Sequence, residues 1–201
     1  MDRLSATVVV ALLAASAACV ALAPLAVPET YDLVRHSVSE AGGQEVPGAW
    51  VARTGFVLLG LAVLLEAAFA RETWGPWGRS AHGVYGTAMV LVGAFSHRPW
   101  YSAPWDRVED SLHSVAATTM GFAFVIGVLA VGIRRGPHPG PVRVLDTVAI
   151  VASVVLPLIM WTAPDVQGAA QRLLFAVCYT WFAVEALRLA GRAAPHPDRA
   201  T

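Results

Sequence analysis

Long apolar runs alternate with short polar segments along the whole chain. Six runs have the length and composition of membrane-spanning helices: 4–27, 50–70, 81–95, 112–133, 144–162 and 169–190. About 20 apolar residues cross a hydrocarbon core of roughly 30 Å, because an α-helix rises about 1.5 Å per residue. The pattern therefore predicts an all-α polytopic membrane protein, a bundle of six transmembrane helices. We expect one membrane domain over 1–190 and a disordered cytoplasmic tail over 191–201.

The first apolar run admits two interpretations, a retained helix or a cleaved secretory signal. Signal peptides have an apolar core of only about 7–15 residues, which is shorter than the run over 4–27. In addition, Ser16 stands where a lipoprotein signal requires a branched apolar residue. Both observations favour a retained helix.

The polar segments predict the connections between the helices. Glycines and prolines mark 28–48 as a loop, in which 31–41 is predicted to form a short interfacial helix. The segment 71–79 is predicted to be a second loop. Its Trp74 and Trp77 are expected in the headgroup layer, where indole rings are frequent.

Glycines in the third run predict close packing of that helix against its neighbours. Gly83, Gly86 and Gly93 lack side chains and would let other backbones approach closely.

The composition supports a membrane location and excludes a nucleic-acid partner. The chain is 56% hydrophobic, against roughly 45–50% for soluble domains. The formal net charge is zero, so the large basic face of a nucleic-acid-binding protein is not expected. Cys19 and Cys178 both lie inside apolar runs and match no metal or redox spacing, which favours small core residues over a disulfide.

The distribution of basic residues predicts the orientation in the membrane. All of the 14 basic residues are arginines. Nine of them lie on the side of the chain termini: Arg3, Arg71, Arg79, Arg134, Arg135, Arg143, Arg188, Arg192 and Arg199. Five lie on the other side: Arg35, Arg53, Arg98, Arg107 and Arg172. Because cytoplasmic loops carry the excess of basic residues, we expect a multi-pass cell-membrane protein with both termini in the cytoplasm.

Candidate chemistry collects on the predicted outer side, above all in the segment 95–113. Ionisable groups at the edge of a membrane span usually face a partner or a water-filled cavity, because lipid does not solvate them. We therefore predict an outward-opening polar pocket. The candidate catalytic residues are His113, Asp106, Asp110 and Glu40, and the candidate substrate-binding residues are Arg53, Arg172, Trp100, Trp105 and Gln171.

The pocket residues suggest acid/base chemistry such as cyclisation, isomerisation or hydrolysis. Asp110 and His113 share a helix face, so the carboxylate is expected to orient the imidazole as a base or acid. Asp106 or Glu40 would be the second proton-transfer group, and the arginines would hold developing negative charge. The predicted partners are the lipid bilayer and an apolar, lipid-like or natural-product small molecule. No cofactor is predicted, and the oligomeric state stays open.

Other interpretations of the same residues remain open. A metal-dependent hydrolase would use His36, His97 and His113 with Asp106, although no His-x-x-x-His spacing supports it. A structural, sensory or transport-accessory protein would use the outer cluster only to pair charges, with Asp106 as a helix N-cap. The arginines near the outer side are expected to pair with carboxylates rather than to reach headgroups.

On the terminal side, ion pairs at the membrane interface account for four further ionisable residues. These are Glu66, His82, Asp146 and Glu185.

Three motifs in order resemble the bacterial and archaeal membrane family called domain of unknown function 998. The segment 31–42 is similar to a Tyr, Ser-Glu-Leu-Gly signature after the first helix, and 53–60 to Asn-x-Gly-Phe-x-x-x-Gly. Asp106 followed by His113 resembles an aspartate before a helix-opening histidine. The resemblance covers about 5–190 and implies a six-helix fold with a polar outer cluster, without an agreed reaction.

The chain departs from that family pattern at three places. Phe95-Ser96-His97 leads into a longer, tryptophan-rich insert where the family has Phe-Pro-x-Asp. Arg53 stands where asparagine is common, and Ala41 replaces a leucine. These departures are compatible with a specialised substrate.

Overall fold

The computed structural model describes residues 3–137 and 140–192, and within these ranges every regular element is a helix. The α-helices are α1 (Arg3–Ala26), α2 (Val38–Ala41), α3 (Trp50–Phe69), α4 (Arg71–Ala94), α5 (Arg107–Arg135), α6 (Pro141–Thr162) and α7 (Gln167–Arg192). A 3-10 turn, Pro164–Val166, joins the last two helices. The all-α prediction is therefore confirmed. The tail predicted to be disordered lies almost entirely outside the described residues.

The six long helices form a closed ring. Following the ring, α1 packs on α3, α3 on α4, α4 on α5, α5 on α6, α6 on α7, and α7 returns to α1. Large aromatic side chains fill the middle: Phe56, Trp74, Tyr85, Phe124, Trp181 and Phe182. The ring has two ends. We call the end with α2 and the segments 95–106 and 163–166 the loop end, and the end where α1 begins and α7 finishes the terminal end.

Five of the described helices are long and apolar enough to cross a membrane: α1, α3, α5, α6, and α7 with the preceding 3-10 turn. The segment 81–95, predicted to be the third span, belongs to α4, which is long but less apolar. Length and apolarity therefore support five of the six predicted spans.

Helix α4 packs antiparallel to both neighbours along its whole length. Glycines create the contact with α3: a methyl group on Gly86 would lie 2.8 Å from the carbonyl oxygen of Gly60, and one on Gly93 would lie 3.0 Å from that of Arg53. Backbones this close leave no room for side chains, as predicted for these two glycines. The prediction is wrong for Gly83, beside which there is open space.

The segment predicted to be a loop over 71–79 is helical instead. Helix α4 begins at Arg71, directly after α3, and is interrupted only at Gly75, whose φ of 66° lies in the left-handed region that glycine tolerates. Trp77 is 80% exposed, which fits the predicted headgroup position, but Trp74 is buried. The proline and glycines of this segment therefore mark a break within one helix.

Candidate functional site

At the loop end, hydrogen bonds from polar side chains link the short helix α2 to the start of α7. The Ser37 hydroxyl accepts from the Glu40 N–H, and a Glu40 carboxylate oxygen accepts from the Ser37 N–H at 2.6 Å. The Gln171 side-chain oxygen accepts the next N–H, that of Val38, at 2.6 Å. Gln167 also donates to the Glu40 carboxylate. Glu40 and Gln171 thus satisfy the backbone donors that begin a helix.

Arg172 fastens the loop before α2 to the start of α7. Its guanidinium lies within hydrogen-bond distance of the carbonyl oxygens of Leu33 and His36, at 2.8 and 3.0 Å. It also donates to the hydroxyl of Tyr31, which in turn lies 2.8 Å from the Ser37 carbonyl oxygen. Burial raises the pKa of the Tyr31 hydroxyl above 10.0, while the nearby guanidinium opposes that rise.

Asp106 caps helix α5, as its structural interpretation predicts. One carboxylate oxygen accepts from the N–H groups of Val108 and Glu109, at 2.7 and 3.3 Å. The Gln44 side chain ties the same turn to the loop after α2, because it accepts from the Asp106 N–H and donates to the Asp106 carbonyl. The Asp106 side chain is therefore already bonded to the backbone.

The histidine and aspartate of the predicted catalytic pair do not bond to each other. His113 is buried, and its Nδ1 lies 2.9 Å from the carbonyl oxygen of Phe95. A carboxylate oxygen of Asp110 instead lies 2.6 Å from Nδ1 of His97, although the angle does not suit a hydrogen bond. Asp110 also accepts a hydrogen bond from the Arg98 N–H at 2.8 Å. The expected orientation of His113 by Asp110 is wrong, because the insert after α4 supplies a different histidine.

His97 and His113 nevertheless lie together. Their rings are stacked with centroids 5.1 Å apart, and Nε2 of His113 is buried without a hydrogen-bond partner among the described residues. Two predicted catalytic residues, Asp110 and His113, thus both contact His97, which was a candidate only in the metal-hydrolase interpretation.

Arg53 and Arg172 do not pair with carboxylates, contrary to the prediction. The Arg53 guanidinium donates to the carbonyl oxygens of Gly93 and Ala94, both at 2.9 Å, and so caps the end of α4. Both arginines satisfy backbone oxygens that have no helical partner. The expected convergence of the outer charges in one hollow is thus replaced by a set of separate caps.

The aromatic residues of the insert also differ in their environments. Trp100 packs against Tyr31 and His36, with ring centroids 5.1 and 5.5 Å away, whereas Trp105 is partly exposed beside Arg107. His36 is turned to its own loop, where its Nδ1 accepts from the Asp32 N–H. Within 3–137 and 140–192, no three His, Cys, Asp or Glu side chains are arranged to hold a metal ion, so the three-histidine hydrolase interpretation is not supported there.

At the terminal end, a half-open cavity of about 990 Å³ lies between α5, α6 and α7 and the start of α4. Its charged lining consists of Glu72, Arg134, Arg135, Arg143, Asp146, Glu185 and Arg188. Apolar side chains such as Val128, Leu129 and Ile150 line the cavity as well. The volume lies within the range of small-molecule sites, and the lining is more highly charged than is usual for them.

Arg135 joins two helices across this cavity. Its guanidinium donates to Asp146 on α6 at 2.7 Å and to Glu185 on α7 at 2.8 Å, and only 14% of its side chain is exposed. Arg188 adds a third contact, to Glu185 at 2.9 Å. Each buried charge therefore faces an opposite charge, as burial in a low-dielectric interior requires.

Two buried tryptophans continue this network into the bundle. The indole N–H of Trp181 donates to Asp146 at 2.9 Å, and that of Trp74 donates to Glu185 at 3.2 Å. Both indole rings pack against His82, with centroids 4.8 and 4.6 Å away. The cavity wall is thus connected to the aromatic centre of the ring.

Two ionisable side chains behind the wall have no hydrogen-bond partner among the described residues. Both carboxyl oxygens of Glu66 and both ring nitrogens of His82 are in this state, and both residues are 0% exposed. Gly127 makes space for His82, since a methyl group there would lie 2.5 Å from the imidazole. The predicted ion pairs are confirmed for Asp146 and Glu185 but are wrong for Glu66 and His82.

The sequence interpretation missed the terminal-end site because its residues are dispersed. Arg135, Asp146 and Glu185 lie near the ends of three different helices, and each is unremarkable beside the membrane interface. The available signal was the number of acidic and histidine residues inside the apolar runs at that end, where Glu66 and His82 also lie.

One family model matches residues 6–188, and its description is protein of unknown function (DUF998). No curated protein and no solved structure matches the chain.

Proposed function

The chain belongs to the DUF998 family, and from that premise we propose a cell-membrane protein that crosses the bilayer six times with both termini in the cytoplasm. The sixth crossing is α4. Its part after the break at Gly75, 76–94, is about 28 Å long at roughly 1.5 Å per residue. It lies antiparallel between α3 and α5, which both qualify as spans. A helix packed along two spanning helices crosses the same layer.

The arginine bias supports the orientation. Nine of the fourteen arginines belong to the terminal side. With the termini in the cytoplasm, the terminal-end cavity opens to the cytoplasm and to the inner leaflet.

We propose that the protein binds a small molecule in this cavity and works as a sensory or transport-accessory protein without catalysis. The observation that carries the proposal is the cavity of about 990 Å³ whose wall is held by Arg135 between Asp146 and Glu185. Buried ion pairs cost desolvation energy, and in some proteins they fix a specific arrangement rather than add stability. Here the arrangement keeps three helices around an open volume.

A cavity-filling substitution tests the proposal. Gly132 lines the cavity, and a methyl group there would lie 3.7 Å from Asp146, so a larger side chain enters the free volume. Gly121 lies on the same helix with open space beside it and serves as the matched control. We expect the full-length wild-type protein and Gly121→Leu to retain a bound small molecule in native mass spectrometry. We expect Gly132→Leu to lose at least about nine-tenths of it at unchanged thermal stability, which corresponds to roughly 1.4 kcal/mol.

Equal retention by all three proteins would overturn the assignment of the cavity. Absence of any retained molecule from the wild type, purified in mild detergent, would also count against it.

A second candidate function is acid/base chemistry at the loop end, and the contact of His97 with both Asp110 and His113 favours it. A histidine whose Nδ1 lies on a carbonyl oxygen has its Nε2 available as a base, and that is the geometry of His113. The test compares lipid and small-molecule extracts of cells that produce wild type or His113→Gln. A product that disappears with the substitution favours the enzyme, and identical extracts argue against it.

A further inference from the structure

We infer that the terminal-end cavity holds the phosphate headgroup of an anionic phospholipid from the surrounding leaflet, an inference that rests on the proposed function of that cavity. The charged lining carries four arginines and three acidic residues. An anionic ligand therefore complements the surplus, whereas a cation does not.

The surplus charge lies on the arginines that have no acidic partner. Arg135 and Arg188 are neutralised by Asp146 and Glu185. Within the described residues, Arg134 donates to the backbone carbonyl of Glu72 and forms no ion pair. The Glu72 carboxylate has no ion pair there either, so the net surplus of the lining is one positive charge.

Arg143 stands at the start of α6 with no ion pair or side-chain hydrogen bond to another residue of the described ranges. The residue is exposed and lines the cavity. Arg134 and Arg143 thus line the same cavity from two helices, and guanidinium groups bind phosphate oxygens in a fork geometry.

The cavity walls favour a lipid over a soluble anion. Between α5 and α6 the cavity is lined by Val128, Leu129 and Ile150. Leu129 is 42% exposed at the outer surface of the bundle. An acyl chain can therefore lie along the α5–α6 seam while the phosphate reaches the arginines. Basic pockets between transmembrane helices on the cytoplasmic side are typical sites of anionic lipid headgroups.

The test measures which lipid the full-length protein keeps. The protein is reconstituted in phosphatidylcholine nanodiscs that contain a minor fraction of phosphatidylglycerol, and the retained lipids are counted by native mass spectrometry. We expect wild type to enrich phosphatidylglycerol over its share of the bilayer. Arg143→Gln is expected to lower that enrichment about fivefold, the effect of roughly one basic residue at an anionic surface.

The matched control is Arg79→Gln. Arg79 is an exposed arginine on α4 near the same end but outside the cavity lining, so its replacement is expected to leave the enrichment unchanged. If Arg79→Gln lowers the phosphatidylglycerol enrichment as much as Arg143→Gln does, general surface charge explains the enrichment and the inference is overturned.

Competition with inorganic phosphate distinguishes a bound phospholipid from a bound soluble phosphate. If phosphatidylglycerol stays enriched in phosphate buffer, the result supports a lipid ligand, because its acyl chains and its headgroup bind together and inorganic phosphate replaces only the headgroup. Binding of inorganic phosphate that depends on Arg143, without lipid enrichment, overturns it. If Gly132→Leu removes the bound molecule while Arg143→Gln leaves the lipid ratio unchanged, the cavity function stands and the lipid inference fails. If neither substitution has an effect, both fail.

Discussion

Several charged side chains are used differently at the two ends of the bundle. At the loop end, Asp106, Arg53 and Arg172 are bonded to backbone groups that helices and loops leave without partners. At the terminal end, Arg135 and Glu185 bond to other side chains from different helices around a cavity. The charged residues named at the loop end complete the backbone, whereas Arg135 and Glu185 at the terminal end are held against other charges beside a free volume.

This difference also sets the expected energies. A cap that is lost exposes a few backbone groups near the water interface, where solvent replaces part of the bond. A lost partner inside the terminal-end network leaves a buried charge that nothing compensates. Substitutions in the terminal-end network should therefore lower the free energy of unfolding more than substitutions of caps at the loop end.

The largest effect is expected at Arg135. Replacement by alanine removes the ion-pair partner of Asp146, which is left with the Trp181 N–H, while Glu185 keeps its contact with Arg188. Breaking a buried pair in this way costs about 3–5 kcal/mol. The free energy of unfolding in detergent, from denaturant titration, measures the loss. The neighbouring Arg134→Ala removes bonds to one exposed carbonyl and should cost about 1 kcal/mol.

Neutralising the whole set sharpens this result. The triple variant Arg135→Leu, Asp146→Asn, Glu185→Gln should recover part of the lost stability, because the charges of all three positions are removed together. Arg188 loses its partner Glu185, but 28% of its side chain is exposed to solvent. A cost for Arg135→Ala no larger than that for the loop-end variant Asp106→Ala would mean that the two ends do not differ as described.

A smaller effect is expected at Asp106. Alanine removes the cap of α5 and should lower the free energy of unfolding by about 1 kcal/mol, while asparagine also caps helices and should stay close to wild type. Ser111→Ala on the exposed side of the same helix provides the control, with an expected change within about 0.5 kcal/mol. Thermal unfolding of the three variants measures this order. If Asp106→Asn folds like wild type but abolishes a cellular product, acid chemistry at the loop end would gain support over a cap.

The smallest effect concerns Asp32 and pH. The backbone N–H groups of Arg35 and Val34 donate to its carboxylate and lower its pKa below 3.8. A lowered pKa means that the folded state prefers the ionised form, so the stabilisation is present above pH 3.8 and is lost as the pH falls through the folded value. Unfolding midpoints between neutral pH and acid should fall slightly more for wild type than for Asp32→Asn. Parallel curves would show that the turn contributes nothing.

Local pattern predicted the helices well because apolar periodicity and breakers act over a few residues. The beginnings of α3 at Trp50 and the end of α6 at Thr162 agree with the predicted limits. The segment 71–79 was predicted incorrectly because a glycine with positive φ can interrupt a helix without ending it, and composition does not distinguish the two cases.

The candidate site was harder to predict, and His113 shows why. Spacing along one helix brings Asp110 and His113 to one face, but a side chain from another segment can contact both of them. His97 does this, since it lies against the Asp110 carboxylate and stacks on the His113 ring. Arg53 and Arg172 were assigned acidic partners from charge alone. Whether a guanidinium meets a carboxylate or a carbonyl depends on where the adjoining helices end, which is a property of the packing.

The amino-acid sequence by itself determined that the chain is an all-α protein of apolar helices and where most of those helices begin and end, and it left a helix cap as one of two roles open to Asp106. These features depend on contacts with solvent or lipid and on neighbours within a turn or two. Only the tertiary structure decided that the charges of α5, α6 and α7 meet around a cavity and that Glu66 and His82 lie buried behind its wall. The reason is that helices distant along the chain meet through packing of their whole surfaces, which no short stretch of sequence specifies.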